Sequence, residues 1–180
     1  RIYFNESIND WIVHQVKNMT GMFIHARIFN QPLNDWDVSN VISMDYMFLA
    51  AYRFNQPLNN WDISNVEHTN HMFSHARLFN QNINDWNVSN VKTMNEMFFE
   101  ANSFNQPLYL WNLKNVITIE NMFGYAKVFN QNINDWNVSN ITNMSGLFFG
   151  CRVFNQPLDK WDVSKVSTMR SMFYGNNQFN

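Results

Sequence analysis

The chain has 180 residues, enough for one domain of ordinary size, and 46% of them are hydrophobic and 17% aromatic. That content is too apolar for a disordered protein, and a net charge of -2 gives no general attraction to nucleic acid or to an anionic membrane. The single cysteine, Cys151, excludes an internal disulfide framework and a cysteine-based metal cluster. The longest apolar runs are far shorter than a transmembrane segment.

Two aromatic residues recur every 25 residues without insertion or deletion. Phenylalanine stands at 4, 29, 54, 79, 104, 129, 154 and 179, and tryptophan at 11, 36, 61, 86, 111, 136 and 161. A fixed period of this length is typical of stacked repeats. The sequence therefore predicts a single tandem-repeat solenoid over 4–178, with 1–3 and 179–180 as ends of neighbouring repeats. Its seven units are 4–28, 29–53, 54–78, 79–103, 104–128, 129–153 and 154–178.

We number the positions of a unit from 1 to 25, starting at its phenylalanine, and call the residues that share a position a column. In the second unit, columns 5, 8 and 10 hold Leu33, Trp36 and Val38. They are separated by polar residues, among them Asp35 and Asp37. Alternation of this kind predicts a short strand with its apolar side chains turned inward.

The second half of the unit has a helical spacing. Columns 16, 19, 20 and 23 hold Met44, Met47, Phe48 and Ala51, which stand at i, i+3, i+4 and i+7. This spacing predicts a helix of about two turns with one apolar face. Column 15, which holds Ser43 here, carries good N-cap residues in six of the seven units. Stacked units of this kind would pair their strands in a parallel sheet. The expected fold is an α/β solenoid, a leucine-rich-repeat-like stack of strand–turn–short-helix units.

The unit resembles a known repeat. Its consensus is Phe-Asn-Gln-Pro-Leu, two residues, Trp-Asp-Val-Ser-Asn-Val, and then Met-x-x-Met-Phe-x-x-Ala. This motif resembles the 25-residue repeats of mycoplasma surface lipoproteins, grouped with the BspA-like leucine-rich repeats, and it extends from Phe4 to Phe179. Cys151 stands in the alanine column and resembles the small-or-cysteine position of those repeats. The resemblance implies display on a cell or particle surface and a role in adhesion, and it supplies no catalytic residue.

Carboxylates and asparagines of columns 7 and 9 should line one exposed face. Convergent oxygens of this kind could hold calcium, but frequent asparagine in place of aspartate argues against a repeated metal site. The plainer interpretation is a polar face that keeps the stack soluble. Because stacked repeats usually bind partners on an extended face, we also expect a partner-binding surface here. Its residues are Asp35, Asp37, Asp62, Asp85, Asn87, Asn112, Asp135, Asn137 and Asp162.

Three further groups have both a functional and a structural interpretation. The tryptophan column could stack sugars or bases, but a regular column with apolar neighbours favours a buried core. A basic stripe at the predicted helix ends would complement the helix dipole; it consists of Arg27, Arg77, Lys127 and Arg152, with Arg53 one position on. His68, His71 and His75 would share one side of a predicted helix. Two imidazoles could then reach one metal, but a solvated flank is the simpler interpretation.

Asparagine fills column 2 from Asn5 onward, and it fills column 12 from Asn40 to Asn140, between Gln15 and Lys165. Asparagine tolerates turn geometry and bonds to backbone, so both columns are expected at the corners of the coil. The sequence has no glycine-rich phosphate loop and no nucleophile elbow, and neither a cofactor nor a metal is expected.

The sequence thus predicts a non-enzymatic, extracellular or surface-displayed adhesion module. Its partner would be a protein or a glycan on another cell or surface, bound through a repeat face, and not nucleic acid. The alternative is a structural filament in which further copies of the chain stack end to end, because both ends carry the plain repeat.

Overall fold

The computed structural model describes residues 2–179. Among these residues there is no helix, and the only β-structure is one isolated bridge residue in each unit. The predicted α/β solenoid with short helices and a parallel sheet is therefore wrong. Each unit is instead a coil of consecutive tight turns, and it stacks on the units before and after it through backbone and side-chain hydrogen bonds.

Column 15, predicted as a helix N-cap, links the coils. Six parallel bridges join its members in sequence, and these members are Asn18, Ser43, His68, Thr93, Thr118, Asn143 and Thr168. Paired backbones of this kind lie about 4.8 Å apart. Consecutive units are therefore separated by a fixed distance along the axis of the stack, and we call the position of a unit along this axis its height.

The segment expected to be helical donates its N–H groups to the next coil. In the second unit every other amide is used in this way: the N–H groups of Met44, Tyr46, Phe48 and Ala50 donate to the carbonyls of His68, Asn70, Met72 and Ser74, with N···O distances of 2.8–2.9 Å. A helix would direct these groups to the residue four positions earlier. Here the N–H of Met47 donates to Met44 and that of Ala51 to Phe48, which closes two four-residue turns.

The third residue of each turn has a left-handed backbone. In the second unit these are Tyr46, with φ 59°, and Ala50, with φ 56°. A type II turn needs a positive φ at this position, and a residue with positive φ cannot continue a right-handed helix. The pattern recurs in columns 18 and 22 of all seven units: Gly21, His25, Tyr46, Ala50, His71, His75, Glu96, Glu100, Asn121, Tyr125, Gly146, Gly150, Ser171 and Gly175.

The predicted strand is also a pair of turns. The N–H of Trp36 donates to the carbonyl of Leu33, and the N–H of Val41 donates to that of Val38. The side-chain directions nevertheless follow the expected alternation, because Leu33, Trp36 and Val38 are buried and the two aspartates between them are exposed.

Two phenylalanine columns form the centre of the core. Column 1 and column 20 interleave: the ring centroids of Phe48 and Phe54 are 4.0 Å apart, and those of Phe29 and Phe54 are 5.9 Å apart. Methionine, valine and alanine columns pack around these rings. One apolar core therefore continues from unit to unit.

Candidate functional site

All nine residues of the predicted partner-binding face are exposed. Columns 7 and 9 lie on either side of the buried tryptophan column, so their polar side chains form two rows along the stack. Between the second and third units they line an open groove of ≈ 360 Å³, bordered by Asn34, Asp35, Trp36, Asp37, Val38, Asn60 and Asp62. We call the surface of columns 7 and 9 the acidic face.

Column 9 also has a structural role. Oδ1 of Asp37 accepts the Ser39 N–H at 3.1 Å and the Ser39 hydroxyl at 2.6 Å. The same turn recurs at Asp62, Asn87, Asn112, Asn137 and Asp162. Since an amide oxygen accepts as a carboxylate oxygen does, aspartate and asparagine alternate freely in this column. The bond from the Ser39 hydroxyl holds the pKa of Asp37 below its ordinary value, and Ser164 lowers the pKa of Asp162 in the same way.

Column 7 has fewer structural contacts. Oδ2 of Asp35 accepts from the Asn9 amide at 2.9 Å, and Asp135 pairs with Lys160 at 2.7 Å. That hydrogen bond raises the pKa of Lys160. Asp85 has no hydrogen-bonding partner within residues 2–179. The carboxylates of column 7 are therefore not tied to the backbone of a turn, unlike the side chains of column 9.

Metal binding receives no support from the geometry. In the described part of the chain, no three histidine, cysteine or acidic side chains converge closely enough to hold a metal ion. The carboxylates of the acidic face are spread along the stack and do not converge.

The tryptophan column belongs to the core, as the apolar pattern predicted. From Trp36 to Trp161 the rings are at most 9% exposed, and neighbouring rings such as Trp61 and Trp86 lie parallel, 6.4 Å apart. Each indole N–H donates to the column 5 carbonyl of the preceding unit, for example from Trp61 to Leu33 at 2.8 Å. Buried rings cannot serve as a stacking platform for sugars or bases.

Both asparagine columns bond across units. In column 2 the side-chain oxygen accepts the backbone N–H one unit later, from Asn5 to Asn130 as acceptors, each at 2.9 Å. In column 12 the side-chain amide donates to a backbone carbonyl of the preceding unit, as Asn65 does to Ser39 at 2.8 Å. The sequence anticipated that these side chains hold the coil, but not that one column accepts and the other donates.

The basic stripe does not lie at helix ends, because the described residues contain no helix. The helix-dipole explanation of Arg27, Arg77, Lys127, Arg152 and Arg53 is therefore wrong. Two of these cations instead flank one ring: the guanidinium carbons of Arg27 and Arg77 lie 5.4 and 4.6 Å from the centroid of Tyr52. All five basic side chains are exposed.

The three histidines do not share a helix face. His71 and His75 occupy left-handed positions, and each pairs with a glutamate one unit later, His71 with Glu96 at 3.2 Å and His75 with Glu100 at 3.1 Å. Nδ1 of His68 lies 3.2 Å from Oγ1 of Thr93. Sequence reasoning missed these pairs, although a histidine and a glutamate exactly one period apart in two columns gave the signal.

Cys151 is buried in the alanine column, and its thiol lies 3.1 Å from the Ala126 carbonyl. Burial raises the pKa of this thiol to about 12. A protonated, covered thiol is a poor nucleophile, so Cys151 acts as a small core residue.

An apolar pocket of ≈ 220 Å³ lies beside the first unit, lined by Phe4, Ile8, Trp11, Met22, Phe23 and Ala26. These side chains belong to the columns that form the core, and Trp11 is 53% exposed, unlike the later tryptophans. The pocket is thus the uncovered face of the core in that unit, not a separate cavity.

Comparison with known proteins gives a family but no activity. No curated protein and no solved structure matches the chain. No helix of residues 2–179 could cross a membrane. One family matches over 1–109 and 96–180, and its description does not extend to BspA-like leucine-rich repeats, so that part of the resemblance is not confirmed. Because these matches cover the whole chain, it belongs to the family described as "Mycoplasma protein of unknown function, DUF285".

Proposed function

We propose that the chain is a non-enzymatic adhesion module, displayed outside the cell or on a particle surface, that binds a protein or a glycan through the acidic face. The supporting observation is that all nine polar side chains of this face are exposed, in rows that keep the spacing of the units. An extended, regular face is the usual binding surface of stacked repeats.

The backbone of the stack favours this function. Each coil is bonded to its neighbours through bridges, alternate amide groups and two asparagine columns. A surface held in this way loses little conformational freedom when a partner binds, and that lowers the cost of association. The groove between the second and third units offers such a partner both acceptor and donor groups, from Asp35 and Asn60.

Column 7 should contribute more to recognition than column 9. One oxygen of each column 9 side chain already accepts a hydrogen bond within its own turn. The column 7 carboxylates bond to no backbone group, because Asp35 and Asp135 contact only the side chains of Asn9 and Lys160 and Asp85 has no partner among residues 2–179. Two sets of substitutions, each removing three negative charges, can therefore separate the two columns.

The test is binding of the labelled 180-residue chain to a glycan array and to cultured host cells. One variant carries Asp35→Asn, Asp85→Asn and Asp135→Asn; its matched control carries Asp37→Asn, Asp62→Asn and Asp162→Asn. We expect the column 7 variant to lose at least about tenfold in affinity and the control to lose less. Absence of binding by the unsubstituted chain, or equal binding by all three proteins, would overturn the proposal.

A further inference from the structure

Opposite charges are segregated along each unit. Columns 6 to 9 of the seven units carry eight carboxylates and one cation, Lys160. Columns 23 to 25 carry five cations and no carboxylate: Arg27, Arg53, Arg77, Lys127 and Arg152. Between the two groups of columns lies column 2, whose asparagines bond from coil to coil. We call the five cations the basic stripe.

The basic stripe is not neutralised within its own chain. Among the described residues, Lys92 forms an ion pair with Glu67 and Lys160 with Asp135, and His71 and His75 contact Glu96 and Glu100. None of these contacts includes a stripe cation. The contacts of Arg27 and Arg77 with Tyr52 leave both side chains exposed. The stripe therefore presents an uncompensated positive field on a molecule that also carries the negative acidic face.

The two surfaces have the same axial spacing. Both are columns of a single stack, and one bridge at column 15 between each pair of consecutive units sets the height for every column. The acidic face of one molecule thus has the same axial spacing as the basic stripe of another molecule. We propose that the basic stripe docks on the acidic face of a second copy of this chain, side by side and in register.

The distribution of charged residues among the units agrees with a parallel, in-register arrangement of the two copies. Four of the five stripe cations would lie at the height of a unit that carries an acidic side chain in column 7 or 9: Arg27 with Asp10, Arg53 with Asp35, Arg77 with Asp62, and Arg152 with Asp135. The fifth, Lys127, lies at the height of the fifth unit, where exposed Tyr109 and Leu110 replace the usual polar pair.

Exposed apolar side chains support the same contact. Leu78, Val128 and Val153 lie in column 25 beside the cations, and each is substantially exposed. At the fifth unit, Val128 would meet Tyr109 and Leu110 of the second copy. Burial of these groups would add attraction that does not depend on salt.

A second copy fits better than a nucleic acid or another polyanion. A long polyanion bound to the stripe would neutralise only the stripe cations. Association of two copies neutralises the cations of one copy and the carboxylates of the other at once. The contact is heterologous, because it joins two different surfaces. Each bound copy therefore leaves one surface free for a further copy, so the assembly is either an open chain or a closed ring. This inference goes beyond the proposed function, and its test contains only the purified chain, so the two can fail independently.

The experiment is sedimentation equilibrium of the 180-residue chain at low and high ionic strength. Exposed ion pairs are screened by salt, so we expect the association constant to fall at least about tenfold between 0.01 M and 0.5 M salt. A stripe variant carries Arg27→Glu, Arg77→Glu and Arg152→Glu. Its control carries Lys17→Glu, Lys114→Glu and Lys165→Glu, the same charge change at exposed cations outside the stripe.

A charge swap makes the test specific. An acidic-face variant carries Asp10→Lys, Asp62→Lys and Asp135→Lys, the partners of the three reversed stripe cations, and circular dichroism and thermal melting show whether each variant is folded. We expect the stripe and acidic-face variants to be monomeric alone and to associate when mixed, because reversed acidic and basic surfaces then meet. The proposal is overturned if the parent chain is monomeric at low salt, if the Lys17 control abolishes association, or if the folded variants do not associate on mixing. Association that persists unchanged in high salt also overturns it and indicates stacking through the ends.

Discussion

Oδ1 of Asn80 accepts the backbone N–H of Asn105 at 2.9 Å, exactly one unit further along the chain. The same oxygen lies 3.2 Å from the Gln106 side-chain nitrogen, which donates to it. One side-chain oxygen thus serves two donors of the next coil. The contact recurs at the same distance in every consecutive pair of units. Substitutions in column 2 therefore test whether side-chain bonds between coils stabilise the stack.

We expect Asn80→Ala to lower the free energy of unfolding by about 1–3 kcal/mol, because the half-buried Asn105 N–H loses its acceptor. Asn5→Ala removes the same contact to Asn30 at an exposed position, where water replaces the lost oxygen, and it should cost under about 1 kcal/mol. Urea denaturation of the three proteins measures both values. Equal losses of unfolding free energy at the two sites would mean that the stabilisation from this hydrogen bond does not depend on burial.

The tryptophan column allows a similar pair of substitutions. Trp86 is buried and donates from Nε1 to the Leu58 carbonyl at 3.0 Å, whereas Trp11 is 53% exposed. We expect Trp86→Phe to destabilise the fold by about 2–4 kcal/mol, through a cavity and the loss of the indole hydrogen bond, although the Leu58 carbonyl still accepts the Trp61 N–H. Trp11→Phe should cost less than about 1 kcal/mol. Thermal or urea unfolding monitored by circular dichroism checks both, and a cost at Trp11 as large as at Trp86 would contradict the explanation.

The core was predictable from the sequence, because the buried columns repeat without a gap. Phenylalanine, tryptophan and methionine keep their places in almost every unit, so their positions identify the interior without knowledge of the backbone. The acidic face followed from the same alternation. Its turns were also detectable, since Asp37 and Ser39 form an Asx-x-Ser pattern that is typical of a side-chain-capped turn.

The turns in place of a helix were not predictable from the apolar spacing. Residues at i, i+3, i+4 and i+7 share a face of a helix, but two successive four-residue turns also direct Met44, Met47, Phe48 and Ala51 to one side. The decisive residues were the left-handed ones, and only four of those fourteen are glycine. Histidine, tyrosine and glutamate there gave no turn signal, because their backbone conformation is imposed by bonds to the neighbouring coils.

The left-handed positions lead to a third prediction. Gly150 has φ 65°, and a Cβ added there would lie 2.6 Å from Cδ1 of the Tyr125 ring. Gly21 has φ 62°, but the atoms nearest to an added Cβ are 3.7 Å away. We expect Gly21→Ala to cost about 1–2 kcal/mol for the left-handed backbone, and Gly150→Ala to cost about 2–4 kcal/mol because the ring must also move.

Urea unfolding measures both substitutions, and a second variant separates strain from crowding. Tyr125→Ala introduced into Gly150→Ala should recover the excess cost and leave only the backbone term. The backbone of column 22, to which Gly150 belongs, can accommodate alanine, since Ala50 adopts φ 56° in the same column of the second unit. If the double variant is as unstable as Gly150→Ala relative to Tyr125→Ala alone, the ring contact is not the cause.

The turns of column 9 predict a dependence of stability on pH. The hydrogen bonds from Ser39 and Ser164 hold the pKa values of Asp37 and Asp162 below their ordinary range. In the unfolded chain an aspartate titrates near roughly pH 4, so the unfolded state binds protons first as the pH falls. The stabilisation from these two groups is therefore fully present above that pH and is lost as the pH falls through the lower folded pKa values.

Asp37→Asn combined with Asp162→Asn should remove this acid sensitivity and leave stability near neutral pH almost unchanged. The amide oxygen can accept the same bonds, as Asn137 does from Ser139 in the sixth unit. Urea midpoints measured from pH 7 down to about pH 2.5 test this on the parent chain and the double variant. The corresponding alanine double variant is the control, because it removes the acceptors and should lower the midpoint at every pH. An asparagine variant whose midpoint falls with acid as steeply as that of the parent would show that these two turns do not carry the linkage.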